Sequence, residues 1–380
     1  MTDPIQDVAA AAQLPAQVPA VPAEPQDLDG HLPIHLAALN GDAVTLQYFL
    51  TEGVPVDAAN LRGQQALHLA AFAGCPRCVD ILLAAGAPIE AQTLDGARPL
   101  DWAAMGGQAD ILQRLIEAGA KIDHQSPKGR QIIHLAASEG QIEVVQVLLA
   151  NGAKIDATTK DGTTPLHWAA LNGEADMVQL LLDAGAQVDA QDKNGEQPLH
   201  LASRAGFGEV VYWLLEAGAD AKVSYKRGLP SLHLAVREGH AEVVDLLLDA
   251  GAEVDVEDKK GMQPLHCATR LGQEEVVQLL LAAKANIEAL DRDGWAPIFY
   301  AAFYGHVAAA KLLLDAGAKL DVIDKKGQQP LHWAASQGKL EVAQLLIAAG
   351  AKIDALNSEG LNPQALATKA GHVEFAAVLG

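Results

Sequence analysis

The chain has 380 residues, with 27 Lys or Arg against 48 Asp or Glu and a formal net charge of −21. That balance disfavours nonspecific attachment to nucleic acid or to an anionic membrane, and no apolar run approaches the roughly 18 residues that a membrane-spanning helix needs. Half of the residues are hydrophobic but only 4% are aromatic, a composition suited to thin layers of Ala, Leu and Val rather than to one thick core.

Residues 1–26, MTDPIQDVAAAAQLPAQVPAVPAEPQ, are rich in Ala and Pro, contain no Lys or Arg and lack the basic start of a secretory signal. They are read as a disordered leader. From about Asp27 onward a ruler takes over: His35, His68, His134, His167, His200, His233, His266 and His332 are separated by 33 residues or by twice 33. Asp101, Phe299 and Ala365 fill the skipped marks, so eleven repeats begin near residues 27, 60, 93, 126, 159, 192, 225, 258, 291, 324 and 357 without insertion or deletion. A fixed period of this length predicts one elongated repeat domain over 27–380, because each repeat contacts only its neighbours.

Repeat five shows the unit most clearly: TKDGTTPLHWAALNGEADMVQLLLDAGAQVDAQ from Thr159 to Gln191. Pro165 suits the first turn of a helix, Leu166, Ala169 and Ala170 give that helix a small-residue face, and Gly173 ends it. Met177, Val178, Leu180, Leu181 and Leu182 mark a second helix closed by Gly185. A polar extended hairpin then leads to Gly195. Of the 34 glycines, 31 occupy three places in the repeat: eleven in the hairpin, eleven after the first helix and nine after the second. Such regularity points to positive φ or close backbone approach. Lys284 breaks the third series, which predicts a local adjustment of that turn and a cost of about 1 kcal/mol.

DGTTPLHWAA from Asp161, NGEQPLHLA from Asn194 and KKGQQPLHWAA from Lys325 carry a recognisable pattern. They resemble the ankyrin repeat family, whose hallmark is D-x-x-G-x-T-P-L-H-x-A-A followed by G-x-x-x-V-V-x-L-L-L-x-x-G-A, and the resemblance covers about 350 of the 380 residues. It implies an all-α repeat fold: helix-turn-helix units joined by projecting β-hairpin loops and stacked into a curved solenoid. The hairpin tips and first helices would form a concave face for partners. The resemblance also implies that the repeated His hydrogen-bonds across its own turn and to the next hairpin.

Departures from the pattern come in chain order. Cys75-Pro-Arg-Cys78 lacks a strand-helix-strand setting, and Cys78 falls where other repeats carry a core Val, so the pair is read as structural. Three cysteines (Cys75, Cys78, Cys267) are too few for a disulfide framework and point to a reducing, intracellular and cytoplasmic setting. Tip residues alternate in sign: Asp29, Asp95, Asp161, Asp293 and Glu359 against Arg62, Lys128, Asn194, Lys260 and Lys326, a 66-residue period that predicts pairing along the row, each pair worth about 0.2–1 kcal/mol. Repeat seven breaks it with Arg227. In repeat eleven Gln364 takes a core-Leu place and Ala365 the His place, as expected of a capping unit.

Successive histidines one layer apart, roughly 9–10 Å, cannot share a zinc whose ligands lie about 2 Å from the metal. No phosphate-binding loop, dinucleotide fingerprint, H-E-x-x-H or G-x-S-x-G element occurs, so neither enzymatic activity nor a cofactor is expected. Function must lie where the repeats differ. In the family five places vary: two before the hairpin Gly, one after it, and two before the Gly ending the first helix. Of 27 basic and 48 acidic residues, 16 and 8 fall on these places, net +8, leaving 11 against 40, or −29, elsewhere. Lys193, Arg204, Lys226, Arg227, Arg237, Lys259, Lys260 and Arg270 concentrate the excess in repeats six to eight, opposed by Glu196 and Glu238. Repeat nine, WAPIFYAAFYG, holds five of the 16 aromatics. Trp295, Phe303 and Tyr304 fall on variable places beside Arg270, Arg292, Lys325 and Lys326, as apolar anchors flanked by cations. The expected function is a noncatalytic, monomeric scaffold binding an acidic protein segment along repeats six to ten. A structural spacer without a discrete hot spot and nucleic-acid binding through the basic tips are the alternatives; no small-molecule substrate or membrane insertion is expected.

Overall fold

The computed structural model describes residues 29–224 and 229–378; the leader lies outside them. Among the described residues there are 22 helices and no strand. Contacts divide the chain into two bodies, Met1–Lys193 and Asn194–Gly380, the division falling just inside repeat six. Within each body, first helices pack on the first helices of neighbouring repeats and second helices on second helices.

Repeat five folds as its sequence dictates. Pro165 opens a helix over Pro165–Asn172, where its fixed φ and missing N–H carry no penalty. Ala169 and Ala170 are fully buried and allow the neighbouring layer to approach closely. The second helix, Ala175–Asp183, buries Met177, Val178 and Leu181, while Leu180 and Leu182 remain half-buried. Each fully buried aliphatic side chain contributes about 1.5–3 kcal/mol.

The histidine ruler is a row of helix caps. In His68, His134, His200, His266 and His332 the ring Nδ1 accepts the backbone N–H three residues earlier at 3.1–3.2 Å, completing a capping box with His in the place of the usual Glu. That fixes the proton on Nε2, which in four of the five donates into the following tip: His68 to the Ala91 carbonyl at 3.2 Å, His200 to Val223 at 2.9 Å, His266 to Ala289 at 2.9 Å and His332 to Ala355 at 3.0 Å. His233 follows Pro230, which has no N–H to offer, and its buried Nδ1 has no partner. Burial favours the neutral imidazole, lowering the pKa of His68 and of His167 to about 4 and shifting His134, His233, His266 and His332 the same way. Where the ruler is broken, other groups take over. Asp101 accepts from Arg98 N–H at 2.9 Å, and Asn362 caps the helix of repeat eleven by accepting from Ala365 N–H at 2.8 Å.

The hairpins prove tighter than expected. No strand ladder forms among the described residues, only isolated bridges such as Ala59 to Gln65. The first residue of the repeat instead folds the tip around its side chain: Asp258 Oδ1 accepts from Lys260 and Met262 N–H, and Asp324 Oδ1 from Lys326 and Gln328 N–H, all at 2.7–2.9 Å. Single backbone hydrogen bonds join one tip to the next, as from Lys160 N–H to the Lys128 carbonyl at 2.9 Å and from Arg292 N–H to Lys260 at 3.0 Å. The predicted ion-pair row is mostly absent; Arg62 and Asp29, 3.0 Å apart, form the one alternating tip pair among the described residues.

All framework glycines in the described residues have positive φ, whereas Gly106 and Gly208, outside the three series, do not. The series are not equivalent. At Gly129 a Cβ would meet the backbone nitrogen of Lys160 at 2.7 Å, so the tip needs Gly for space as well as for conformation. After the second helix, as at Gly317, nothing lies within 4 Å. That is the series in which Lys284 is tolerated. It keeps the left-handed turn, with φ 65° against 93° at Gly317, and the same closing bond, Ala285 N–H to the Leu280 carbonyl at 2.9 Å.

Candidate partner-binding face

The arginines expected at the site sit in the last turns of successive first helices: Arg204 in Pro198–Ala205, Arg237 in Ser231–Glu238 and Arg270 in Pro264–Leu271. A cation there complements the negative end of the helix dipole. Arg204 pairs with Glu196 of its own repeat, and a polar groove of about 370 Å³, lined by Asn194, Glu196, Arg204, Arg237 and Glu238, lies beside them. Arg270 is half-buried and its Nε has no hydrogen-bond partner. Lys259 and Lys260 are exposed at the tip of repeat eight, with no carboxylate in ion-pair range among the described residues. Lys226 and Arg227 lie outside the described residues, and Lys193 is an exposed residue of the first body.

The aromatics of repeat nine form one cluster with a residue of repeat ten. The Trp295 ring lies 5.9 Å from Phe299, 5.0 Å from Tyr300, 5.5 Å from Phe303 and 4.8 Å from Trp333, and Phe303 lies 5.5 Å from Trp333. Phe299 is completely buried and Tyr300 nearly so, its hydroxyl donating to Asp291 at 2.5 Å. Burial and that carboxylate push the phenol pKa up. These two belong to the core. Trp295 and Phe303 are half-buried and Tyr304 is 45% exposed. Cations surround them: Lys326 Nζ stands 5.7 Å from the Trp333 ring centre, Lys325 Nζ donates to the Arg292 carbonyl, and Arg292 is exposed.

Two contributors escaped the sequence reading. Trp333 occupies the place of the framework residues Trp102 and Trp168, yet its indole N–H donates to Asp324 at 3.0 Å and its ring becomes one wall of the cluster. His240, His306 and His372 form a second ruler with a 66-residue period. Their Nε2 atoms reach the carbonyls of Arg204, Arg270 and Ser336 at 3.1–3.2 Å, so each ties down the end of the preceding first helix. Its signal was the spacing itself, hidden among thirteen histidines.

This architecture has a family. The model for ankyrin repeats in three copies matches residues 14–93, 86–159, 133–226, 232–324 and 316–380. The chain belongs to the ankyrin repeat family. Among solved structures, the ankyrin repeat domain of human ASB11 is similar, with 32% identity and a TM-score of 0.54 over 59% of this chain and 99% of that one. No curated protein matches. Ankyrin repeats are in general modules of protein–protein interaction and ankyrin proteins typically noncatalytic scaffolds. Among the described residues, no helix of this ankyrin chain is long and apolar enough to cross a membrane.

Proposed function

We propose that this ankyrin chain is a noncatalytic scaffold that captures an acidic protein segment on the tips and first helices of repeats six to ten. The supporting observation is the aromatic cluster of Trp295, Phe303 and Trp333 among Arg270, Arg292, Lys325 and Lys326, on a chain whose remaining surface is strongly acidic. Carboxylates of the partner pair with Arg204, Arg237, Arg270 and the tip lysines, and an apolar side chain rests on the rings. Guanidinium–carboxylate pairs supply orientation and salt dependence, while rigid aromatics supply contact area at low entropic cost.

A randomised peptide library displayed against the full chain tests this. Selected peptides are expected to be enriched in Asp and Glu together with an aromatic or large aliphatic residue. Changing Lys226, Arg227, Lys259 and Lys260 together to Glu is expected to weaken their binding at least about tenfold, or about 1.4 kcal/mol, and Trp295→Ala with Phe303→Ala by about 2 kcal/mol. Peptides without acidic enrichment, or binding indifferent to both changes, would point to a spacer with no hot spot. Salt-sensitive gel shifts with RNA or DNA would replace the protein partner by a nucleic acid.

A further inference from the structure

Cys75 and Cys78 are joined as a disulfide, with Cα atoms 5.3 Å apart, against the expectation from cysteine number. Cys75 is the N-cap of the nine-residue helix Pro76–Ala84. The Cys78 N–H donates to Cys75 Sγ at 3.2 Å, Pro76 holds the first turn, and Arg77 is exposed between the two cysteines. The two residues differ sharply in burial: Cys75 is half-buried, whereas Cys78 is completely buried at a core place filled by Ile111, Val144, Met177 and Val243 in other repeats. The third cysteine, Cys267, is unlike either. It is buried without a partner sulfur, and burial pushes its thiol up to about 11.

We propose that Cys75–Cys78 is a reversible thiol–disulfide exchange site for a small thiol of the glutathione type. Cys75 is the sulfur that exchanges and Cys78 the one that resolves. In reduction, the thiolate of the small thiol attacks Cys75 Sγ, because Cys78 is completely enclosed. The Cys75–Cys78 bond breaks, and its electron pair leaves on Cys78, which takes a proton. A second small-thiol thiolate attacks the sulfur of the first, releasing the oxidised small disulfide and a Cys75 thiolate. The balance is one protein disulfide and two small thiols going to one protein dithiol and one small disulfide. The Cys75 thiolate is stabilised where it forms, by the Cys78 N–H and the positive end of the helix. On reoxidation by the small disulfide the steps reverse: Cys75 attacks, the small thiol leaves, and Cys78 expels the second from the mixed disulfide at Cys75. None of this involves the basic tips or the aromatic cluster of repeats six to ten.

The test uses the full chain in reduced and oxidised glutathione at varied ratio, quenched in acid and counted for free thiols by mass-tagged maleimide. Two thiols are expected to appear together as the buffer becomes reducing and to disappear on return. Cys78→Val and Cys75→Gln place at each position a residue that other repeats carry there, so the framework is retained; circular dichroism verifies it. In oxidised glutathione, Cys78→Val is expected to accumulate one glutathione adduct, on Cys75, at least tenfold faster than Cys75→Gln acquires one on Cys78. Equal rates in the two folded variants overturn the assignment of roles. A disulfide that survives excess reduced glutathione, or thiols that survive excess oxidised glutathione, overturns the exchange site.

Discussion

Repeats four and five and repeats nine and ten make the same contact with different residues. The residue after the tip glycine lies against the residue after the framework His position of the next repeat: Arg130 stands over the Trp168 ring at 4.4 Å, and Trp295 meets Trp333 at 4.8 Å. In the first pair a cation covers the ring, and the Trp168 indole N–H is held by Thr163 at 3.2 Å, so the contact is closed. In the second a second indole replaces the cation, Phe303 extends the aromatic surface, and lysines stand around it. One framework Trp, half-buried in both repeats, is thus covered by a cation or joined to an aromatic cluster according to its variable neighbour. The same substitution pattern reaches the core, because His167 caps its helix in repeat five while Phe299 fills that place in repeat nine by packing alone.

The largest difference between the regions lies in their response to acid. The folded pKa of about 4 for His68 and for His167 lies below the ordinary imidazole value of about 6.5, so between these values the unfolded chain binds the proton that the folded chain refuses. Stability is therefore full above about pH 6.5, falls as pH drops towards 4, and levels off below, by on the order of 3 kcal/mol for each such His. Burial lowers His134, His233, His266 and His332 in the same direction. Urea melts at stepped pH should show this window. Repeat nine carries Phe299 in the place of the capping His, so Phe299→His should steepen the slope between pH 6.5 and 4, and an unchanged slope would break the comparison.

Next in size is Phe299→Ala. Its ring is completely enclosed, and truncating such a side chain costs about 3–5 kcal/mol through lost burial and the cavity left behind. Phe303→Ala, at a half-buried position, should cost clearly less when both variants are compared in urea melts at neutral pH, while affecting any ligand more. Comparable losses from the two would mean that the outer aromatics are as structural as the inner ones.

Much of this was legible from the chain. First helices start 33 residues apart, as the histidine ruler does, and thirty glycines and one lysine occupy the positive-φ positions of the described residues. The tip turns are hairpins tighter than their polar sequence suggests, because side chains at the first place of the repeat, such as Asn60, Thr159 and Asp258, accept hydrogen bonds from the tip backbone. What no local pattern reveals is a contact between residues in adjacent layers. Trp295 and Trp333 are joined only once the stacking register is known, and the Cys75–Cys78 bond required the first turn of a helix to bring residues three apart into range.

The smallest expected effect concerns the turn that leads into repeat nine. Gly152 enters repeat five with φ 88°, whereas Lys284 makes the corresponding turn before repeat nine with φ 65°, nearer the left-handed well that an L-residue prefers. A side chain in that well costs about 1 kcal/mol relative to Gly, while Gly adds freedom to the unfolded chain worth about 0.4–1 kcal/mol in the opposite sense. The two nearly offset, so Lys284→Gly should stabilise by no more than about 0.5 kcal/mol. Gly152→Lys starts from the less favourable φ and should destabilise by about 1 kcal/mol. Open space beside both residues' positions in the series removes any clash from the account, as nothing lies within 4 Å of a Cβ built at Gly152. Equal and opposite changes in melting temperature would show that the 65° backbone carries no relief, and that the turn before repeat nine is strained rather than adjusted.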